Sequence, residues 1–139
     1  MVNQPRADRF LKCQPVVGMC LFLMFAGCGG NSFNPPLSEV NGRVTLDDVP
    51  LPDAIITFVP NDGPSSGGFT DQDGRFNLLF KNGQPGAMIG VHSVRISTDI
   101  NGTFLPENEK VPAKYNSEST LTVEVKEGLN SIPFHLTTE

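Results

Sequence analysis

Few residues of this 139-residue chain could do chemistry. Histidine is a common general base and metal ligand, and there are two, His92 and His135. His92 alternates in phase with Val94 and Ile96, whereas His135 lies out of phase with Phe134 and Leu136. The spacing therefore places His92 at a core edge, with one ring nitrogen hydrogen-bonded, and His135 towards solvent. Histidines on faces of opposite character do not converge on zinc, so no metal or cofactor is expected. Asp71-Gln72-Asp73-Gly74 has the opening spacing of a calcium loop, but the twelfth position from Asp71, where an EF-hand needs glutamate, is Asn82. It reads instead as a tight turn, with Asp73-Gly74 supplying the positive φ and Asp71 bonding nearby backbone N–H groups. Serines are plentiful, yet no G-x-S-x-G elbow surrounds any of them. No enzyme is expected.

The three cysteines carry a different chemistry. Arg6, Arg9 and Lys12 form a positive n-region, and an eleven-residue apolar run, Val16–Ala26, follows it. This is the layout of a secretory signal, residues 1–27, and it is too short for the roughly 20 residues that span a bilayer as a helix. Phe25-Ala26-Gly27-Cys28 resembles the bacterial lipobox, in which small residues precede an obligatory cysteine, with Phe25 standing where leucine is usual. The resemblance implies cleavage before Cys28 and acylation of its thiol and new amine. Cys13 and Cys20 leave with the leader, so Cys28 has no intramolecular disulfide partner. Two or three acyl chains would hold the protein firmly to a membrane. Residues 28–37, from Cys28 through Asn34-Pro35-Pro36, have linker composition.

The rest, 38–139, must supply one domain. Fourteen glycines and twelve prolines favour turns over helices, and ten phenylalanines carry the aromatic core in the absence of tryptophan. Val40, Gly42, Val44 and Leu46 alternate with polar residues; so do Ala54, Ile56 and Phe58; Phe76, Leu78 and Phe80; His92, Val94 and Ile96; Leu121, Val123 and Val125; Ile132, Phe134 and Leu136. Period two marks strands buried on one face. The fold class expected is all-β, two packed antiparallel sheets. The net charge of −5 becomes −7 once the leader's +2 (Arg6, Arg9 and Lys12 against Asp8) is set aside. Such a domain has no footprint for nucleic acid and is weakly repelled by anionic headgroups.

Four segments together resemble transthyretin-like, carboxypeptidase-regulatory-like domains. Val40-Asn41-Gly42-Arg43-Val44 matches the V-x-G-x-V strand, and Leu51 with Ala54-Ile55-Ile56-Thr57-Phe58 matches the "pl-x-a-x-V-x-F" strand. Thr70-Asp71-Gln72-Asp73-Gly74-Arg75-Phe76 resembles the T-D-x-x-G-x-F hairpin, and Gly90-Val91-His92-Ser93-Val94-Arg95-Ile96 the next strand. Val111-Pro112-Ala113-Lys114-Tyr115-Asn116 looks like a segment of small exported lipoproteins of this type. The resemblance implies a single seven-stranded antiparallel β-sandwich of transthyretin-like topology. One enzyme branch of that fold hydrolyses 5-hydroxyisourate with a Tyr-Arg-Gly-Ser-type tail, which Leu136-Thr137-Thr138-Glu139 does not resemble.

The longest connection, Asp99–Ser119, holds Phe104, Leu105, Val111 and Tyr115. Connections of that length are often functional. Its apolar residues are expected to fold back over the open end of the sandwich; Phe104, Lys114 and Tyr115 are the alternative, a binding loop. Gly63-Pro64-Ser65-Ser66-Gly67-Gly68 is expected to be a flexible loop. The function expected is a non-catalytic lipoprotein of the cell envelope, exported and membrane-anchored through Cys28, acting on a protein or glycan. The alternative is a small-ligand carrier or sensor that binds at the sandwich mouth.

Overall fold

Strand β2 (Val40–Leu46) is the spine of the domain, and its alternation is realised directly: Val40 and Val44 are buried while Asn41 and Arg43 point out. The computed structural model describes residues 33–101 and 106–139; the expected signal 1–27, Cys28 and Phe104 lie outside the described residues. The other strands are β1 (Leu37–Ser38), β3 (Val49–Pro50), β4 (Ile55–Pro60), β5 (Ser66–Phe69), β6 (Arg75–Asn77), β7 (Ala87–Met88), β8 (Gly90–Ser97), β9 (Thr122–Val125), β10 (Asn130–Ser131) and β11 (Phe134–Leu136). Among the described residues helix is confined to 3-10 turns at Lys81–Gly83, Pro106–Asn108 and Ala113–Tyr115. Among the described residues no helix is long and apolar enough to cross a membrane.

Two sheets enclose one core. In the first, β6 and β3 pair antiparallel with one edge of β2, while β10 and β11 pair with the other. The second has the order β5-β4-β8-β9, all antiparallel. A two-stranded ribbon, β1 with β7, lies beside them. Phe58 from the second sheet meets Phe134 of the first edge-on, with ring centroids 6.2 Å apart, and Phe134 meets Phe76 at 6.0 Å. Ile56, Val94, Ile96, Leu78 and Leu136 complete the centre. Each such side chain contributes about 1.5–3 kcal/mol by leaving water.

The architecture corrects two expectations. Among the described residues the strands come as eleven short segments, and β10 and β11 run parallel to β2 rather than antiparallel. Alternation fixes which face a side chain takes but says nothing about strand direction. The chain crosses from β9 into the other sheet through the Lys126–Leu129 turn and so re-enters beside the start of β2, running the same way. Pro133, which has no N–H to give a ladder, sits at the break between β10 and β11.

The second correction concerns Gly63–Gly68, whose last three residues are strand, not flexible loop. Ser66, Gly67 and Gly68 pair with Phe58, Thr57 and Ile56, and Gly67 also bonds Leu79 in both directions, at 3.0 and 2.8 Å. Glycine serves close approach here: a Cβ on Gly68 would lie 2.4 Å from the Asn77 carbonyl oxygen. Gly42 is tighter still, since its Cβ would fall 1.9 Å from the oxygen of Ile132 and 2.8 Å from the Phe76 ring. The glycine of V-x-G-x-V therefore lets the crossing chain lie against β2.

Candidate functional site

The Asp71–Arg75 turn forms as its residues dictate. Asp71 Oδ1 accepts from the N–H groups of Asp73 (2.9 Å) and Arg75 (2.8 Å), and Gly74 takes φ +73°. Its consequence is positional: the turn feeds β6 back along β2 so that Arg75 stands directly opposite Arg43, and Asn77 opposite Asn41. All four side chains face outward, because the intervening Gly42 and Phe76 face the core.

These residues line a cleft of about 560 Å³, with Phe69 of β5 on one wall and Ser131 of β10 on the other. Phe69 is 63% exposed, unusual for a phenylalanine in a chain that buries Phe58, Phe76, Phe80 and Phe134. Arg43 donates from Nε to the Asp73 carbonyl oxygen at 2.8 Å, which fixes its stem and leaves the terminal nitrogens open. The Arg75 guanidinium has no hydrogen bond or ion pair among the described residues. Like charges directly opposite each other in a sheet are destabilising. Here two arginines and one carboxylate, Asp71, share the cleft of an otherwise acidic domain. Two planar guanidiniums side by side suit a carboxylate, which they can grip bidentately. The sequence put Arg43 in the V-x-G-x-V strand and Arg75 in the T-D-x-x-G-x-F hairpin; it lacked the register that makes them neighbours.

Of the residues named as a possible binding loop, Lys114 and Tyr115 do not line this cleft. Lys114 and Tyr115 lie in the 3-10 turn Ala113–Tyr115, and Phe104 is outside the described residues. The Tyr115 hydroxyl accepts from the Thr137 N–H at 3.2 Å and meets the Thr137 hydroxyl at 3.3 Å. Lys114 donates to the Thr137 hydroxyl and the Glu139 carbonyl, with its ammonium 5.1 Å from the centre of the Tyr115 ring. The pair thus straps residues 137–139 to the turn, and Asp47 accepts from the N–H and hydroxyl of Thr138 on the far side. Those bonds hold the Asp47 carboxyl below the usual carboxylate range. A hollow of about 290 Å³ near the long connection is lined by Asp53, Thr98 and Lys110 among others, but by neither Lys114 nor Tyr115.

In its described residues the connection folds back through Val111 and Tyr115. Val111 is in the core and Tyr115 packs against it. Glu109 fastens the return: it accepts from the Thr98 N–H (3.0 Å), the Thr98 hydroxyl (3.0 Å), the Val111 N–H (2.9 Å) and the Ser97 hydroxyl. Partial burial raises the Glu109 pKa, and these bonds, led by Ser97, outweigh it and hold the carboxyl below its ordinary range.

The histidines stay apart. His92 is 1% exposed; its Nε2 bonds the Met88 carbonyl at 2.7 Å and its ring lies 5.7 Å from Phe58. His92 Nδ1 is buried without a partner, as is the Ser66 hydroxyl. His135 is exposed and meets the Thr45 hydroxyl at 3.1 Å. Among the described residues no group of three His, Cys, Asp or Glu could hold a metal ion.

No family model and no curated protein matches the chain. A solved structure similar to it is a DUF3823 family protein from Parabacteroides merdae ATCC 43184, a β-rich protein 20% identical, at a TM-score of 0.45. The likeness covers 73% of this chain and 46% of that one, so the chain spans about half the length of its neighbour.

Proposed function

We propose that this chain is a non-catalytic, lipid-anchored module of the bacterial cell envelope that holds an acidic glycan against the outer face of β2. The observation that carries the ligand class is the cross-strand pair Arg43–Arg75, free to grip a carboxylate within the cleft. Asn41 and Asn77 offer amide donors and acceptors to sugar hydroxyls, and exposed Phe69 offers a ring face to the apolar side of a sugar. Anchoring is read from the Arg6, Arg9 and Lys12 n-region, the apolar run to Ala26 and the lipobox-like Phe25-Ala26-Gly27-Cys28.

The finer fold reading is a seven-stranded transthyretin-like sandwich. Setting aside the two-residue strands β1, β3 and β7, and joining β10 with β11 across Pro133, leaves seven. The motif segments also fall in order, V-x-G-x-V as β2 and T-D-x-x-G-x-F as the turn into β6.

Calorimetric titration of the purified full chain in detergent tests the ligand. An oligo-uronate should bind, and the neutral oligosaccharide of the same size should not. One charge-assisted hydrogen bond is worth about 1.5–3 kcal/mol, so Arg75→Ala should weaken binding at least about tenfold. Equal binding of the neutral sugar, or an unaffected Arg75→Ala, would overturn the reading. Binding of an acidic peptide instead would replace the glycan with a protein partner. Turnover of an ester or amide substrate, lost in His92→Ala, would overturn its non-catalytic character.

A further inference from the structure

The exposed apolar side chains are unevenly distributed. Among the described residues, Phe33, Val49, Val59, Phe69, Leu79, Ile89, Val91, Ile100 and Leu129 are large, hydrophobic and exposed. Register places six of them at one end of the strands. Val91 and Val59 lie at the start of β8 and the end of β4, where Pro60 faces His92 and Val91 faces Glu124. Ile89 is just before β8, and its N–H bonds the Pro36 carbonyl. Leu129 is in the turn that delivers Asn130 to Glu39 and Val40. Leu79 follows β6 past Asn77, which faces Asn41. Phe33 reaches the β4–β5 loop, with its ring tip 3.5 Å from where a Cβ on Gly63 would be.

That is also the end at which the described chain begins. Cys28 precedes Phe33 by five residues, which at roughly 3.3–3.6 Å per residue reach about 17 Å at full extension. An anchor there keeps this end near its membrane whatever path the linker takes. We infer that this end, led by Phe33 and Leu129 with Ile89 and Val91, rests on the lipid surface as a second, non-covalent contact. The inference depends on the lipid-anchor reading. Phe33 is 54% and Leu129 68% exposed, so both tips are available to the interface. Charge does not drive the contact. Lys81 and Lys126 near the end are outnumbered by Glu39, Asp62, Glu124 and Glu127, so the occupant is a zwitterionic or neutral lipid face.

The chain contains no tryptophan, so single substitutions report without background. Phe33→Trp, Leu129→Trp and, at the opposite end, Val49→Trp would each be made in the full chain. Each would be expressed in a bacterial host, checked by intact mass, and reconstituted into phosphatidylcholine vesicles with brominated acyl chains. Acyl mass on Cys28 is the separate readout of the anchor. The expected result is blue-shifted emission, quenched several-fold more for positions 33 and 129 than for 49, and weaker when anionic lipid is added at low salt. Acylated protein with all three positions equally unquenched would overturn the docking and leave the anchor standing. A blue shift without quenching would mean that protein, such as a second copy, covers this end, and would overturn it too. An unacylated chain would overturn the anchor and this orientation with it.

Discussion

Glu109 offers the sharpest test of how the long connection is held. Its Oε1 takes three hydrogen bonds, from the Thr98 N–H and hydroxyl and from the Val111 N–H, and its Oε2 takes the Ser97 hydroxyl. Alanine would leave two backbone N–H groups without their acceptor beside the buried Val111. An unmade bond of this kind costs about 1–3 kcal/mol when fully buried. The site is partly open to water, so we expect about 2 kcal/mol in all. For a domain near 100 residues, where 1 kcal/mol moves Tm by about 4–8 °C, that is a fall of roughly 10 °C. Glutamine can keep its carbonyl oxygen on the three Oε1 donors and turn its amide to the Ser97 oxygen. It should lose only the charge assistance, about 1 kcal/mol.

The pH dependence has a definite sign. The folded-state pKa of Glu109 is depressed, so its contribution is complete above the ordinary glutamate value, about 4.3. It is lost as pH falls through the lower folded-state value. Thermal melts followed by circular dichroism at pH 7 and near pH 3 would read both effects. The gap between wild type and Glu109→Gln should shrink at the lower pH. A Glu109→Ala protein within about 0.5 kcal/mol of wild type at pH 7, the level of an ordinary surface change, would refute the reasoning. So would a glutamine gap that ignores pH.

Two further substitutions probe the framework. Gly42→Ala puts a methyl where Ile132 oxygen and the Phe76 ring already stand, so it should cost more than the 1–3 kcal/mol of ordinary overpacking; chemical denaturation showing a loss below about 1 kcal/mol would refute the close approach. Thr70 is buried, and its hydroxyl oxygen accepts the Ala54 N–H at 2.8 Å. Thr70→Val keeps the shape and removes the acceptor, for a loss of about 1–3 kcal/mol in the same assay, which Thr70→Ser should largely recover.

How far the sequence reaches is visible in particular residues. Alternation placed Val40, Val44, Ile56, Phe58, Val94, Ile96, Phe134 and Leu136 in the core correctly, because period two follows from the pleat alone. His92 buried with one bonded nitrogen, and Asp71 capping its turn, also rest on local geometry. Pairing partners and strand directions did not emerge, since they depend on residues far apart in the chain. For the same reason the Arg43–Arg75 cleft was missed, and so were the bonds that Lys114 and Tyr115, singled out by residue type, make to Thr137 and Glu139. The glycine at 68 read as slack, when what it permits is the close approach of β5 to Asn77 of β6.

The parallel pairing of β11 with β2 sets a timetable for assembly. Val44 waits for Phe134 and Leu46 for Leu136, a separation of 90 residues in each case. Until those late residues are present, β2 has one vacant edge and Phe58 lacks the ring that closes on it. Topologies dominated by such distant pairings fold slowly, over milliseconds to seconds rather than microseconds. A nascent chain of this design stays open along β2 while it is being made. Under the export proposed above, that delay would keep the chain threadable, because the two sheets would lock only once the last strands had been made.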